Sequence, residues 1–219
     1  MTRSKVSLFQ LLFATLLMAG GAISGHAQEA REHWYTFNIG GGYSPLVGQV
    51  SDRLDNGWHV TGGLGFRMTS HFEVAGQFVY HGFGVKPVVL AEAAVPSADS
   101  HVWSITADPK IRFGVARRFD PYLVGGVGYY RRTVNFTAPT LQAVTIFDPF
   151  FDAFFTGLVP ARIQLGSVTR SGIGGSGGLG FHVRMGSSTA KLFVEARYHY
   201  AATGNIPTRM IPATLGFQW

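Results

Sequence analysis

Alternation with a period of two runs through most of the chain. Over residues 58–67, Trp58, Val60, Gly62, Leu64 and Phe66 share one face, and His59, Thr61, Gly63, Gly65 and Arg67 share the other. Over 72–81, Phe72, Val74, Gly76, Phe78 and Tyr80 stand against Glu73, Ala75, Gln77, Val79 and His81. Over 192–200, Leu192, Val194, Ala196, Tyr198 and Tyr200 stand against Phe193, Glu195, Arg197 and His199. One face is apolar with aromatics toward its ends; the other mixes small and charged residues. Successive side chains of a strand point to opposite faces, and an apolar outside with a polar inside is the pattern of a barrel in lipid. The segments 34–43, 102–113, 121–132, 173–185 and 209–219 bring the strands to eight. In 121–132, Leu123/Val127 and Tyr122/Val124 compete for the outer face. Pro109 and Pro212 lack the N–H that a closed ladder uses, so each predicts a bulge or a strand end. The expected fold is all-β: an eight-stranded antiparallel up-and-down transmembrane β-barrel.

The connections point the same way. Residues 68–71, 114–120 and 186–190 are short, whereas 44–57, 83–101, 133–172 and 201–208 are mostly much longer. Short periplasmic turns alternating with long outer loops are the habit of outer-membrane barrels. A soluble eight-stranded barrel would turn its apolar face inward. Here Glu73, Lys110, Arg112, Glu195 and Arg197 share the glycine-bearing face, an interior a soluble barrel could not carry.

The longest connection departs from this period. In "TIFDPFFDAFFTG" (145–157), Phe147, Phe150, Phe151, Phe154 and Phe155 fall at the i, i+3, i+4, i+7, i+8 positions of a helix face. Asp148 stands at an N-cap, Pro149 at the first helical position and Gly157 just past the end. The spacing predicts a two-turn helix, too short to stand alone in water. Its apolar face would lie over the barrel mouth as a lid, against outer-leaflet lipid, or against another protein.

An eight-stranded barrel is wide enough only for side chains to fill it. The turn at 68–71 sets Arg67 opposite Glu73, and the turn at 186–190 sets Glu195 near His182 and Arg184. The expectation is an ion-pair network of Arg67, Glu73, Lys110, Arg112, Arg184, Glu195 and Arg197 in the lower lumen. It would act either as a structural filler or as a gate.

Composition narrows the rest. Arg3 and Lys5, an apolar run to about residue 23 and small residues before Ala27 predict a secretory signal peptide over 1–27, with the barrel domain over 28–219. Two of the 18 basic residues leave with that peptide, so the domain carries 16 Lys+Arg against 12 Asp+Glu. The excess is mild and scattered, which argues against nucleic acid as a partner. There is no cysteine, so thiol chemistry and cysteine metal sites are excluded. No serine, histidine and carboxylate are evidently matched for catalysis: His101 and Ser104 are three apart and point to opposite faces, and His182 and His199 face inward singly. Arg53 with Asp55, and Asp99 with His101, are surface acid–base pairs at most. No catalytic residue, metal site or cofactor is expected.

Three stretches also carry a family resemblance that spans 33–219. "FDPYLVGGVGYY" (119–130) resembles the Pro-Tyr and Gly-rich fifth strand of the small outer-membrane barrel proteins of the OmpA-like and opacity-protein type. "LFVEARYHY" (192–200) resembles their seventh strand, and "IPATLGFQW" (211–219) their last, with Trp219 where Phe is commoner. The resemblance implies the cell outer membrane as location, with its lipid and lipopolysaccharide as surroundings. It also implies recognition of Phe217 and Trp219 by the barrel-assembly machinery. The expected role is structural or interactive, with loops presented to a surface protein ligand and no catalysis. The alternatives are a narrow gated pore or hydrophobe-binding channel with residues 145–158 as its lid, and a lipid-modifying enzyme.

Overall fold

The computed structural model describes residues 34–114, 118–186 and 189–219; the signal peptide expected over 1–27 lies outside them. The strands are β1 (Tyr35–Ser44), β2 (Gly57–Arg67), β3 (Phe72–Gly84), β4 (Ser97–Arg112), β5 (Phe119–Asp148), β6 (Ala153–Arg184), β7 (Lys191–Ala201), β8 (Thr208–Met210) and β9 (Ala213–Gln218). A short helix α1 (Pro87–Glu92) lies between β3 and β4. Each strand from β1 to β7 pairs antiparallel with the next, β7 pairs with both β8 and β9, and β9 returns to β1. β8 and β9 are one strand parted at Ile211–Pro212, so the ring has eight positions. Pro212 thus marks the expected break. Pro109 does not end its strand: it stays paired with Val74 in β3, while the β4–β5 ladder lapses at Asp108 and Pro109.

The alternation becomes an inside and an outside. Leu123 and Val127 face outward and Tyr122 and Val124 are buried, which settles the ambiguous strand. Trp58 and Tyr129 stand exposed toward the long-loop end, and Trp34, Phe66, Phe217 and Trp219 at the other. These are the two aromatic girdles that bracket an apolar band in a membrane barrel. Inside, two glycines of β6 make room for two tyrosines of β5. A Cβ on Gly174 would lie 2.7 Å from the Tyr130 ring, and one on Gly180 2.6 Å from that of Tyr122.

At the long-loop end an apolar roof closes the lumen. Leu46, Val50 and Leu54 of the first outer connection pack with Phe83, Val85, Val102, Tyr130, Ala201 and Met210. Val89 and Leu90 of α1 lie against them. The lid is therefore built from the first two connections, not from residues 145–158.

The helix expected over 145–157 does not form. β5 and β6 run on past the ring as a two-stranded hairpin, with Phe147 opposite Phe154 and Ile146 opposite Phe155. Residues 149–152 make the turn, in which Asp152 takes a φ of 47° and the Phe150 N–H donates to the Asp148 carboxylate at 2.8 Å. The Asp-Pro pair that read as a helix start is a turn start, a role the same residues serve equally well. A two-turn helix gains little by itself. Extending a ladder already formed below gains a cross-strand pair at every step.

Candidate functional site

The lumen holds three layers. In the lower one the Lys110 ammonium lies 3.6 Å from the Glu73 carboxylate. Glu73 also accepts from the Thr36 hydroxyl at 3.2 Å and from the Gln218 amide at 3.1 Å. Arg112 donates from Nε at 2.7 Å and from Nη2 at 2.5 Å to one oxygen of Asp120, whose other oxygen takes the Gly114 N–H at 3.1 Å. Arg197 bridges Asp108, at 2.5 Å, and Glu195. The Tyr122 hydroxyl donates to Glu195 at 2.9 Å, and Lys110 sits 4.7 Å above the Tyr122 ring. Glu73, Asp108, Asp120 and Glu195 are all buried, as are Lys110, Arg112 and Arg197. Arg67 stands opposite Glu73 in the β2–β3 register and is half-buried. Lys110, Arg112 and Arg197 each lie within ion-pair distance of a carboxylate, the condition under which buried charge is tolerated.

The structure thus brings together Glu73, Lys110, Arg112, Glu195 and Arg197 of the residues singled out by sequence, with Arg67 placed opposite Glu73 by register. Arg184 is exposed and stands apart. Asp108 and Asp120, which sequence reasoning missed, complete the network. Both are on the inward face of their strands, and that periodicity was the signal available.

The middle layer was also missed. The Ser44 hydroxyl lies 2.9 Å from Nδ1 of both His59 and His81. His59 Nε2 lies 2.9 Å from the Thr214 hydroxyl, and His199 Nδ1 lies 2.9 Å from that of Tyr130. One hydroxyl can donate to one imidazole and accept from the other, so the two histidines carry their protons on opposite nitrogens. The register that sets Arg67 against Glu73 also sets His59 against His81. That pair was legible in the sequence. A gap of about 10 Å³ lined by His59, His199, Glu195, Arg197 and Thr214 has room for about one water. Ser44 resembles a nucleophile beside a base, but it is fully buried under the apolar roof. Among the described residues, no group of three or more His, Cys, Asp or Glu is arranged to hold a metal ion.

The hairpin is the opposite case. Phe150 is 92% exposed, Phe151 73%, Phe154 72%, Phe155 54% and Phe147 46%. Leu141, Leu158 and Ile163 are exposed along its shaft. Asp99 and His101, 3.3 Å apart at the base of the outer loops, share Asn135 as a partner, and His101 stacks on Tyr80. At the far end of the barrel, Trp219 exchanges backbone hydrogen bonds with Phe37 at 2.9 and 3.1 Å and stacks on its ring. Phe217 and Trp219 both face outward there.

Comparison with known proteins agrees with this architecture. Solved structures that share the fold include two bacterial surface proteins. The attachment invasion locus protein Ail of Yersinia pestis is 14% identical, with 84% of this chain covering 97% of that one at a TM-score of 0.50. Neisserial surface protein A is 16% identical, with 85% covering 95% at 0.51. At such identities the likeness is one of fold. No curated protein sequence matches the chain. The model of the outer membrane protein beta-barrel domain family matches residues 13–218, so the chain belongs to that family and to the outer membrane.

Proposed function

We propose that this outer-membrane barrel works by contact: the ring anchors the chain and the β5–β6 hairpin engages a protein at the cell surface. One observation carries the reading. Phe147, Phe150, Phe151, Phe154 and Phe155 all stand exposed at the tip of a hairpin, while the lumen beneath is filled. From Ala138 to Asp148 the hairpin extends roughly 35 Å at strand rise. Both of its faces bear apolar residues, and Asp148 and Arg162 are the two charges on the shaft between Ala138 and the tip turn. Along this stretch, among the described residues, β5 and β6 pair only with each other, which leaves both backbone edges open. Exposed apolar patches and open edges are surfaces that bind.

The competing readings have less behind them. Conduction would need a path through the apolar roof and the ion-paired layer, with a gap for about one water between them. Catalysis would need access to Ser44. Phe217 and Trp219 serve the assembly machinery at the closing strand.

Proteoliposomes carrying the chain, scored for adhesion to epithelial cells and to immobilised matrix proteins, test the proposal. Replacing Phe150, Phe151, Phe154 and Phe155 with Ser abolishes adhesion while the heat-dependent gel shift of the folded barrel persists. Undiminished adhesion by that variant sinks the reading. In a planar bilayer the wild-type chain is electrically silent; discrete openings would favour the pore.

A further inference from the structure

We infer that the mouth of the barrel holds a site for a phosphate or sulfate group of a soluble polyanion, built on Arg132 and Arg170. These two residues are directly opposite each other in the β5–β6 ladder. Like charges in that position repel, and a chain gains nothing from the arrangement unless a counter-charge joins it. None of the ion pairs among the described residues includes either arginine. The lower lumen, by contrast, gives Lys110, Arg112 and Arg197 a carboxylate each.

The two side chains converge on one loop, residues 202–207 between β7 and β8. Arg132 donates to the Thr208 hydroxyl at 3.2 Å and to the Thr203 carbonyl at 3.4 Å. The stem of Arg170 lies along Gly204, where a Cβ would come 3.6 Å from its Cγ. Gly204 has a φ of 99°, so only glycine suits this bend. The Thr203 and Thr208 hydroxyls, 2.7 Å apart and both buried, form the floor. These bonds use two of the five donors of Arg132, and Arg170 is exposed with its guanidinium in solvent. Two guanidinium groups beside hydroxyls form a fork suited to a tetrahedral oxyanion.

Geometry also selects the source. Arg132 is two residues from the buried Tyr130, and Arg170 two from Gly172, so both lie on the inner face of the rim. Headgroups of the surrounding lipid meet the outer face. The anion that reaches this pair comes from the aqueous side, carried on a phosphorylated or sulfated chain.

The test uses the full chain refolded in detergent free of lipopolysaccharide and titrated with tripolyphosphate and, separately, with a heparin oligosaccharide. Arg132→Gln and Arg170→Gln each weaken binding about tenfold, the loss expected for charge-assisted hydrogen bonds. Arg162→Gln, on the hairpin, binds as the wild type does. Should Arg132→Gln fail to refold, the exposed Arg170→Gln carries the test alone. Unchanged binding in Arg170→Gln overturns the site, as does an equal loss in Arg162→Gln, which would mean diffuse charge. In a parallel arm, the chain is mixed with vesicles containing lipid A with and without its phosphates. Arginine-dependent binding there, with none to the soluble polyanions, overturns the aqueous source.

Discussion

Tyr122 and Phe154 are aromatic residues on the same pair of strands, yet Tyr122 is 2% exposed and Phe154 72%. Below the rim, β5 and β6 are part of a closed ring. Inward side chains from every strand converge there, and Tyr122 meets the Glu195 carboxylate, the Lys110 ammonium and the His182 ring. Above the rim the same two strands leave the ring, and no other described strand pairs with them. The difference lies in closure, not in residue type. A ring turns one face of each strand into an interior, and a two-stranded ribbon has no interior to offer. The lower region accordingly holds stability, and the upper one holds surface available for binding.

The sharpest way to break this comparison is to unpair the lumen. Arg197→Ala strands Asp108 and Glu195 together in a sealed layer and costs about 3–5 kcal/mol. Urea unfolding in detergent reads this as a lower midpoint. A loss near zero would mean that the lumen is wet and the pairs incidental. A smaller effect is expected one layer up. Ser44→Ala removes the one hydroxyl shared by His59 and His81, leaving buried nitrogens unmatched at a cost of about 1–3 kcal/mol. The smallest change belongs to the hairpin. The variant with Phe150, Phe151, Phe154 and Phe155 replaced by Ser stays within about 0.5 kcal/mol of the wild type, as exposed substitutions do. If it lost as much as Arg197→Ala, the hairpin would be packed on something and the comparison would fail.

What the sequence determined by itself is whatever depends on period. Alternation alone separated Glu73, Lys110, Arg112, Glu195 and Arg197 from the lipid face, because a strand presents every second residue to one side. Short turns then carried register: the turn at 68–71 sets Arg67 against Glu73 and, by the same count, His59 against His81. Pro212 announced the parting of β8 from β9, since its missing N–H cannot join a ladder. What only the tertiary structure decided is whatever depends on closure. Arg197 and Asp108 are 89 positions apart, on strands that meet across the lumen. No local pattern links them until the ring is formed. The apolar roof draws on Leu46, Phe83, Tyr130 and Met210, which share no periodic signal. The phenylalanine stretch shows the limit most plainly. Its spacing is helical, yet in so short an apolar run periodicity alone does not separate helix from strand. The choice fell to the ladder already standing beneath it, because each added pair extends an existing sheet while a two-turn helix must nucleate alone.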